Sequence, residues 1–259
     1  MVTGEASKEA VELAGRHSSL AVGLHLVITG GSPVLDVKKV PNILAPNGRL
    51  RSDPLKAGLL YALCGEARAQ IIQEIKAQFQ RFRQWGLTLD HVSGHQNLHL
   101  HPAILPVVIS MARHHGAGGI RIPLDDLALA LRHRTPSPLI KILWAVSLGP
   151  LNRWAARRLD REGMGFPCRV YGLFQSGSMT QSYLSDVIEG LDCPSAEIYL
   201  HPSLDRSQGP WGPNPEDLSL LLSDSIRLLV EERGIRLAGY RDVFAVGGGA
   251  SWRPSRRPC

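Results

Sequence analysis

Short apolar runs and longer stretches with helical spacing take turns along this chain. Residues 20–28 (LAVGLHLVI) form an apolar, β-branched run, the mark of a strand covered on both faces. Gly30, Gly31, Ser32 and Pro33 end it. Before it, Ser7 to Arg16 has the spacing of a short helix. After it, a turn at Asn47-Gly48 leads into a long helical stretch, Pro54 to Trp85, which Gly86 stops. Leu87 to Ser93 predicts the next strand, Pro102 opens a helix that ends at Gly116, and Gly118 to Pro123 predicts a short strand.

The alternation continues downstream. Asp125 to Arg158 holds two helix candidates parted at Gly149-Pro150, more than one βα unit needs. Strands are expected at Arg169 to Leu173 and Ala196 to Leu200, with a helix from Gln181 to Leu191 between them. Asn214 and Pro215 read as N-cap and first residue of a helix reaching Arg233. Ile235 to Phe244 is the last strand candidate. Strands alternating with helices imply an α/β fold with a parallel sheet, closed or nearly closed into a barrel. The organisation expected is one barrel domain over 1–246, an insertion at 125–160, and a disordered Gly-, Pro- and Arg-rich tail over 247–259.

Composition narrows the function classes. With 259 residues, 44% of them apolar, the chain can fill one sizeable core. The net charge of +6 owes three charges to Arg253, Arg256 and Arg257, and no basic stripe is interleaved with aromatics. No nucleic-acid partner is expected. Cys64, Cys168, Cys193 and Cys259 show no C-x-x-C spacing, which argues for free thiols. No apolar run has the length of a membrane span, and the first residues lack the charged leader and apolar core of a signal peptide. Together these place the chain in the cytoplasm.

The histidines carry the candidate chemistry. His91, His95, His99 and His101 fall within DHVSGHQNLHLHP, His25 lies inside GLHLV, and His201 follows EIYL and precedes Pro202. In parallel α/β barrels, chemistry collects at the C-terminal ends of strands, where His95 and His201 lie and toward which His25 can point. A histidine in a buried strand can equally be a hydrogen-bonded core residue, the cluster a histidine-rich loop, and His201 a turn residue. His17, His114, His115 and His133 read as solvated positions on helices. No G-x-S-x-G, Walker A, G-x-G-x-x-G or H-E-x-x-H occurs. Imidazoles without thiolates suit zinc, manganese or cobalt, which can activate water for amide or ester hydrolysis.

Six stretches, SLAVGLHLVITGGSPVL, LTLDHVSGHQNLHLHPAI, GGIRIP, YGLFQSGSMT, EIYLHPS and LAGYRDVF, resemble in order the YdjC-like (ChbG-type) carbohydrate deacetylases. They look most similar to the hopanoid-biosynthesis-associated (HpnK) branch. The resemblance covers Met1 to about Ala245. It implies a distorted TIM-like (β/α) barrel that hydrolyses N-acetyl groups of amino sugars with one divalent metal ion, zinc, magnesium, manganese or cobalt. It also implies that His25 and His95 are metal ligands and that His201 is the general acid. Arg121 then positions a carboxylate or the sugar, or forms a surface ion pair, and His99 lines the sugar pocket or orients its loop. The substrate implied is an N-acetylated amino sugar, plausible as part of a hopanoid glycolipid.

Two departures stand out. Many relatives have aspartate where this chain has Ser93. The family also begins with a strand ending in Asp-Asp-Phe-Gly, which this chain does not contain, so the first strand and helix are expected to be missing. The alternative to an enzyme is therefore an inactive remnant that binds sugar or lipid. Finally, residues 139–158 place Trp144 and Trp154 among aliphatics with Lys141, Arg153, Arg157 and Arg158. That composition points either to peripheral contact with the inner membrane or to an insertion packed on the barrel.

Overall fold

A computed structural model of the chain describes residues 1–133, 137–205 and 212–244; the tail expected over 247–259 lies outside the described residues. The chain divides into two compact units. Of the described residues, the first contains Met1–Ile122, Trp154–Phe166 and residues 239–244, and the second contains Pro123–Arg153 and Pro167–Ala238.

In the first unit α1 (Ser7–Arg16), β1 (Val22–Leu26), α2 (Pro54–Leu63), α3 (Gly65–Gln84), β2 (Leu89–Gly94), α4 (Leu105–His114) and β3 (Gly119–Ile120) follow in order. The strands pair in parallel in the order β1-β2-β3, with α2 and α3 forming the first crossover and α4 the second. Leu24, Leu26 and Ile28 are buried, as are Ile71, Ile75 and Phe79 at helical spacing on α3, which packs on β1. The long stretch expected over Pro54 to Trp85 breaks at Cys64, whose backbone is extended, and α3 starts afresh at Gly65.

Two polar residues interrupt the buried stripe of α3. Gln78 receives the Val27 N–H at 3.0 Å and donates to the Val27 carbonyl at 2.7 Å, so its amide continues the β1 backbone ladder where no strand does. Glu74 accepts from Gln78 at 2.8 Å and from the Val34 and Leu35 N–H groups at 2.8 and 3.0 Å, fixing the loop after β1. Replacing Glu74 by alanine leaves three donors without an acceptor. Such losses amount to about 1–3 kcal/mol per buried group, so thermal unfolding of Glu74→Ala is expected to show a loss of about 2–4 kcal/mol.

The second unit contains α5 (Leu127–Arg132), most of α6 (Pro138–Glu162), β4 (Arg169–Tyr171), α7 (Gln181–Glu189), β5 (Ala196–Ile198), α8 (Pro215–Leu221) and α9 (Asp224–Glu232). β4 and β5 pair in parallel as a separate sheet. Its core gathers Tyr171, Phe174, Tyr183, Leu184, Val187 and Ile188. Asn214 caps α8 through the Asp217 N–H, with Pro215 in the first turn, as the sequence predicts.

The fold is thus α/β with parallel sheets; closure into a barrel is not seen among the described residues. Besides the break at Cys64, three boundaries differ from the sequence reading. α6 runs through Gly149-Pro150 instead of ending there. The helix expected from Pro215 to Arg233 is two helices, with Ser223 capping the second. No strand forms over Ile235 to Phe244; the chain instead makes a short helix, α10 (Tyr240–Phe244), in the first unit. Asp90 explains that helix: its carboxylate takes the N–H groups of Tyr240 and Arg241, both at 3.0 Å, and His91 Nδ1 at 2.9 Å. Burial pushes the Asp90 carboxyl up, but these donors hold it below the usual carboxylate range. His91 stacks on Tyr240 with ring centres 4.6 Å apart, which makes it a packing residue.

Candidate active site

β1 and β2 run side by side in a register that sets His25 opposite Ser93 and Leu26 opposite Gly94. Side chains opposite each other in such a pair share a face, and His25 Nδ1 lies 2.9 Å from Ser93 Oγ. The hydroxyl therefore holds the His25 ring in place. β2 ends at Gly94, and Gln96 and Asn97 then adopt left-handed backbone angles (φ 53° and 57°). Two such residues in succession turn the chain at once, leaving His95 at the strand end. Gly30, itself left-handed at φ 70°, passes on the other side: a Cβ there would lie 3.8 Å from His95 Nε2.

The rings of His25 and His95 meet edge to face, with centres 6.0 Å apart and planes at 76°. Two imidazoles on one zinc-sized ion, through bonds of about 2.0–2.1 Å, keep their centres roughly 5–6 Å apart. Burial, then the Arg121 guanidinium, then the Met1 ammonium, His95 and His99 push the His25 pKa down to about 2. A neutral imidazole keeps its lone pair, as metal ligation requires. The spacing and the neutral His25 ring are compatible with a shared ion. A catalytic zinc takes three protein ligands, and among the described residues no group of three His, Cys, Asp or Glu side chains stands together. The described donors alone do not complete a metal site.

Arg121 and His99 belong to the same unit. The Arg121 N–H bonds to the Val92 carbonyl at 2.9 Å, extending the β2–β3 pairing, and its charge acts on His25 and His99. His99 is fully buried and its Nε2 donates to the Arg121 carbonyl at 2.9 Å, which ties the loop after β2 to the end of β3. Its Nδ1 is buried without a partner and lies against Gly94, where a Cβ would come within 2.5 Å. Burial lowers the His99 pKa to about 4.

These two histidines make stability depend on pH with a definite sign. Their pKa values are depressed on folding, so below the ordinary value of about 6.5 the unfolded chain binds more protons than the folded one. Their contribution is complete above about 6.5 and drains as pH falls toward about 4 for His99 and toward about 2 for His25. Chemical denaturation between pH 7 and 4.5 is expected to show falling stability. His99→Gln should flatten that slope by up to about 1.4 kcal/mol per pH unit, the effect of one proton.

His201 lies in the second unit, just beyond β5. Its N–H bonds to Asp217 Oδ2 at 2.8 Å, its carbonyl accepts from the Asn214 N–H at 3.0 Å, and its ring meets Tyr199 edge-on at 5.6 Å. The backbone on both sides of the ring is therefore fixed. Of the histidines read as solvated, His133 is not: its side chain is 14% exposed and its Nε2 lies 2.9 Å from Asp186 Oδ2. Residues that position the site without standing in it, Glu74 and Gln78, escaped the sequence reading. The signal was a polar pair four residues apart inside the apolar stripe of α3, where each polar group needs a partner.

The sequence profile of the family described as YdjC-like protein matches residues 1–232. A carbohydrate deacetylase of Brevibacillus brevis is 41% identical over 248 residues, covering 94% of this chain and 86% of the relative. A carbohydrate deacetylase of Geobacillus stearothermophilus is 27% identical over 250 residues (94% and 84%), and a chitooligosaccharide deacetylase of Escherichia fergusonii 26% over 251 (94% and 86%). In three dimensions the chain is similar to the crystal structure of an Enterococcus faecalis V583 protein provisionally named for cellobiose-phosphate cleavage. There the TM-score is 0.69 at 20% identity over 94% of this chain and 86% of that one, a likeness of fold. With the profile matched across most of its length and a relative 41% identical over 94% of it, the chain belongs to the YdjC-like protein family.

Proposed function

We propose that this chain is a carbohydrate deacetylase that hydrolyses the N-acetyl group of an amino sugar. The observation that carries the reading is the approach of His25, whose ring is neutral, and His95 at the ends of two parallel strands, with ring centres 6.0 Å apart. The deacetylase names of relatives matched over 94% of the chain support it. Water adds across the amide, acetate leaves, and the sugar nitrogen departs as an amine. In this reading His25 and His95 are two ligands of a divalent ion. Arg121 orients the sugar, and His99 holds the loop that carries His95. His201 gives its proton to the departing nitrogen. The substrate is an N-acetylated amino sugar, extended in the fuller form of the reading to a hopanoid glycolipid. A cytoplasmic protein would meet that glycolipid by peripheral contact of residues 139–158 with the inner membrane.

A second reading, a chain that binds acetylated sugar without cleaving it, is favoured by the two-imidazole donor set. Incubation with N-acetylated chito-oligosaccharide and a divalent ion, followed by mass spectrometry of the sugar, separates the two. Loss of an acetyl group supports the deacetylase. Intact sugar that still binds in calorimetry supports the second reading.

A further inference from the structure

Helix α6 has two apolar faces, and only one of them is covered. On the covered side Trp144 and Ala145 pack on the core of the second unit. Lys141 is fully buried there, with its ammonium donated to the Phe174 carbonyl. On the other side Leu139, Leu143 and Val146 are 80%, 64% and 68% exposed, with Ile142 beside them at 39%. Positions 139, 143, 146 and 150 share one helical face. The same spacing continues to 153, 157 and 161, which are exposed arginines, with Trp154 next to the row. The face is an apolar stripe followed by a basic one. Lys141 and Trp144 are not part of it, and Arg158 is engaged with Glu162 at 2.8 Å.

We infer that this face of α6 docks on an anionic lipid surface, with Leu139, Ile142, Leu143 and Val146 entering the headgroup boundary and Arg153, Arg157 and Arg161 meeting lipid phosphates. The inference rests on the membrane contact in the reading above and is independent of the deacetylation chemistry. Charge selects the occupant. A second copy of the chain would bring either the same arginines or the same apolar stripe, and neither offers a row of carboxylates. An anionic bilayer offers both an apolar depth and a sheet of negative charge. Among the described residues no helix is long and apolar enough to cross a membrane, so α6 lies on the surface.

The test is sedimentation of the full chain with vesicles of phosphatidylcholine, with and without an equal share of phosphatidylglycerol. Binding is expected only to the anionic vesicles. Each arginine near such a surface is worth about fivefold in partition. Arg153→Glu with Arg157→Glu should therefore weaken binding at least tenfold, as should Leu143→Ser with Val146→Ser. Circular dichroism confirms that the variants are folded, and deacetylation of a soluble chito-oligosaccharide reads the catalytic proposal separately. Equal binding to both vesicles, no binding, or binding unmoved by both pairs of substitutions would overturn the inference. So would a dimer in light scattering that Leu143→Ser with Val146→Ser dissolves while vesicles are ignored.

Discussion

Replacing His201 by alanine is expected to slow acetate release by about two to four orders of magnitude, the usual worth of a positioned general acid. The expectation follows from what the ring does and what it does not hold. The backbone around His201 is kept by Asp217 and Asn214, through bonds of 2.8 and 3.0 Å that do not use the imidazole. Removing the ring should therefore leave these two backbone bonds in place and take away the proton donor together with its edge contact to Tyr199. Bound metal, measured by elemental analysis of His201→Ala, should be unchanged. A loss of metal with the loss of turnover would make His201 a ligand instead.

The second large effect concerns the ion. His25→Ala and His95→Ala are each expected to weaken binding of cobalt(II) or zinc(II) by at least about 100-fold in equilibrium dialysis, above the 10–100-fold that loss of an outer partner costs. If the two imidazoles, 6.0 Å apart, hold an ion jointly, removing either would leave a single donor on a strand end. The His25 ring is already neutral, so no proton has to leave it for the ion to bind. Affinity should consequently show no titration step from His25 between pH 5 and 8. Undiminished affinity in both variants would detach this pair from the metal.

Local signals made part of this legible. α1 spans Ser7–Arg16, as its spacing predicts, and Asn214-Pro215 opens α8 by the expected cap. The β1 run was clear because a buried parallel strand reads as a continuous apolar stretch. What escaped depended on distant partners or on overlooked local cues. The N–H groups of Tyr240 and Arg241 at the start of α10 are satisfied by Asp90, 150 residues earlier in sequence for Tyr240, and the one local cue is Asp242, which takes the Gly239 N–H at 2.9 Å. Pro150 does not end α6, because it sits on the solvent-facing side, where water can take up the Val146 carbonyl that loses its donor. The break before α9 did carry a local signal in Ser223-Asp224, an N-cap sequence inside a run that otherwise looks continuous.

The site divides in the same way. Strand-end position and family likeness singled out His25 and His95, whose ring centres lie 6.0 Å apart. For His99 the likeness left a pocket role and a loop role open. Full burial and the bond to the Arg121 carbonyl give it the loop role, which only the tertiary fold could reveal.

The most direct test of the account is acetate release from N-acetylated chito-oligosaccharide by the purified chain, stripped of metal and then resupplied with a divalent ion, beside His95→Gln treated alike. The account predicts release that appears with the ion in the wild-type chain and is lost in His95→Gln. No release with zinc, cobalt, manganese or magnesium, or equal release from His95→Gln, would contradict it.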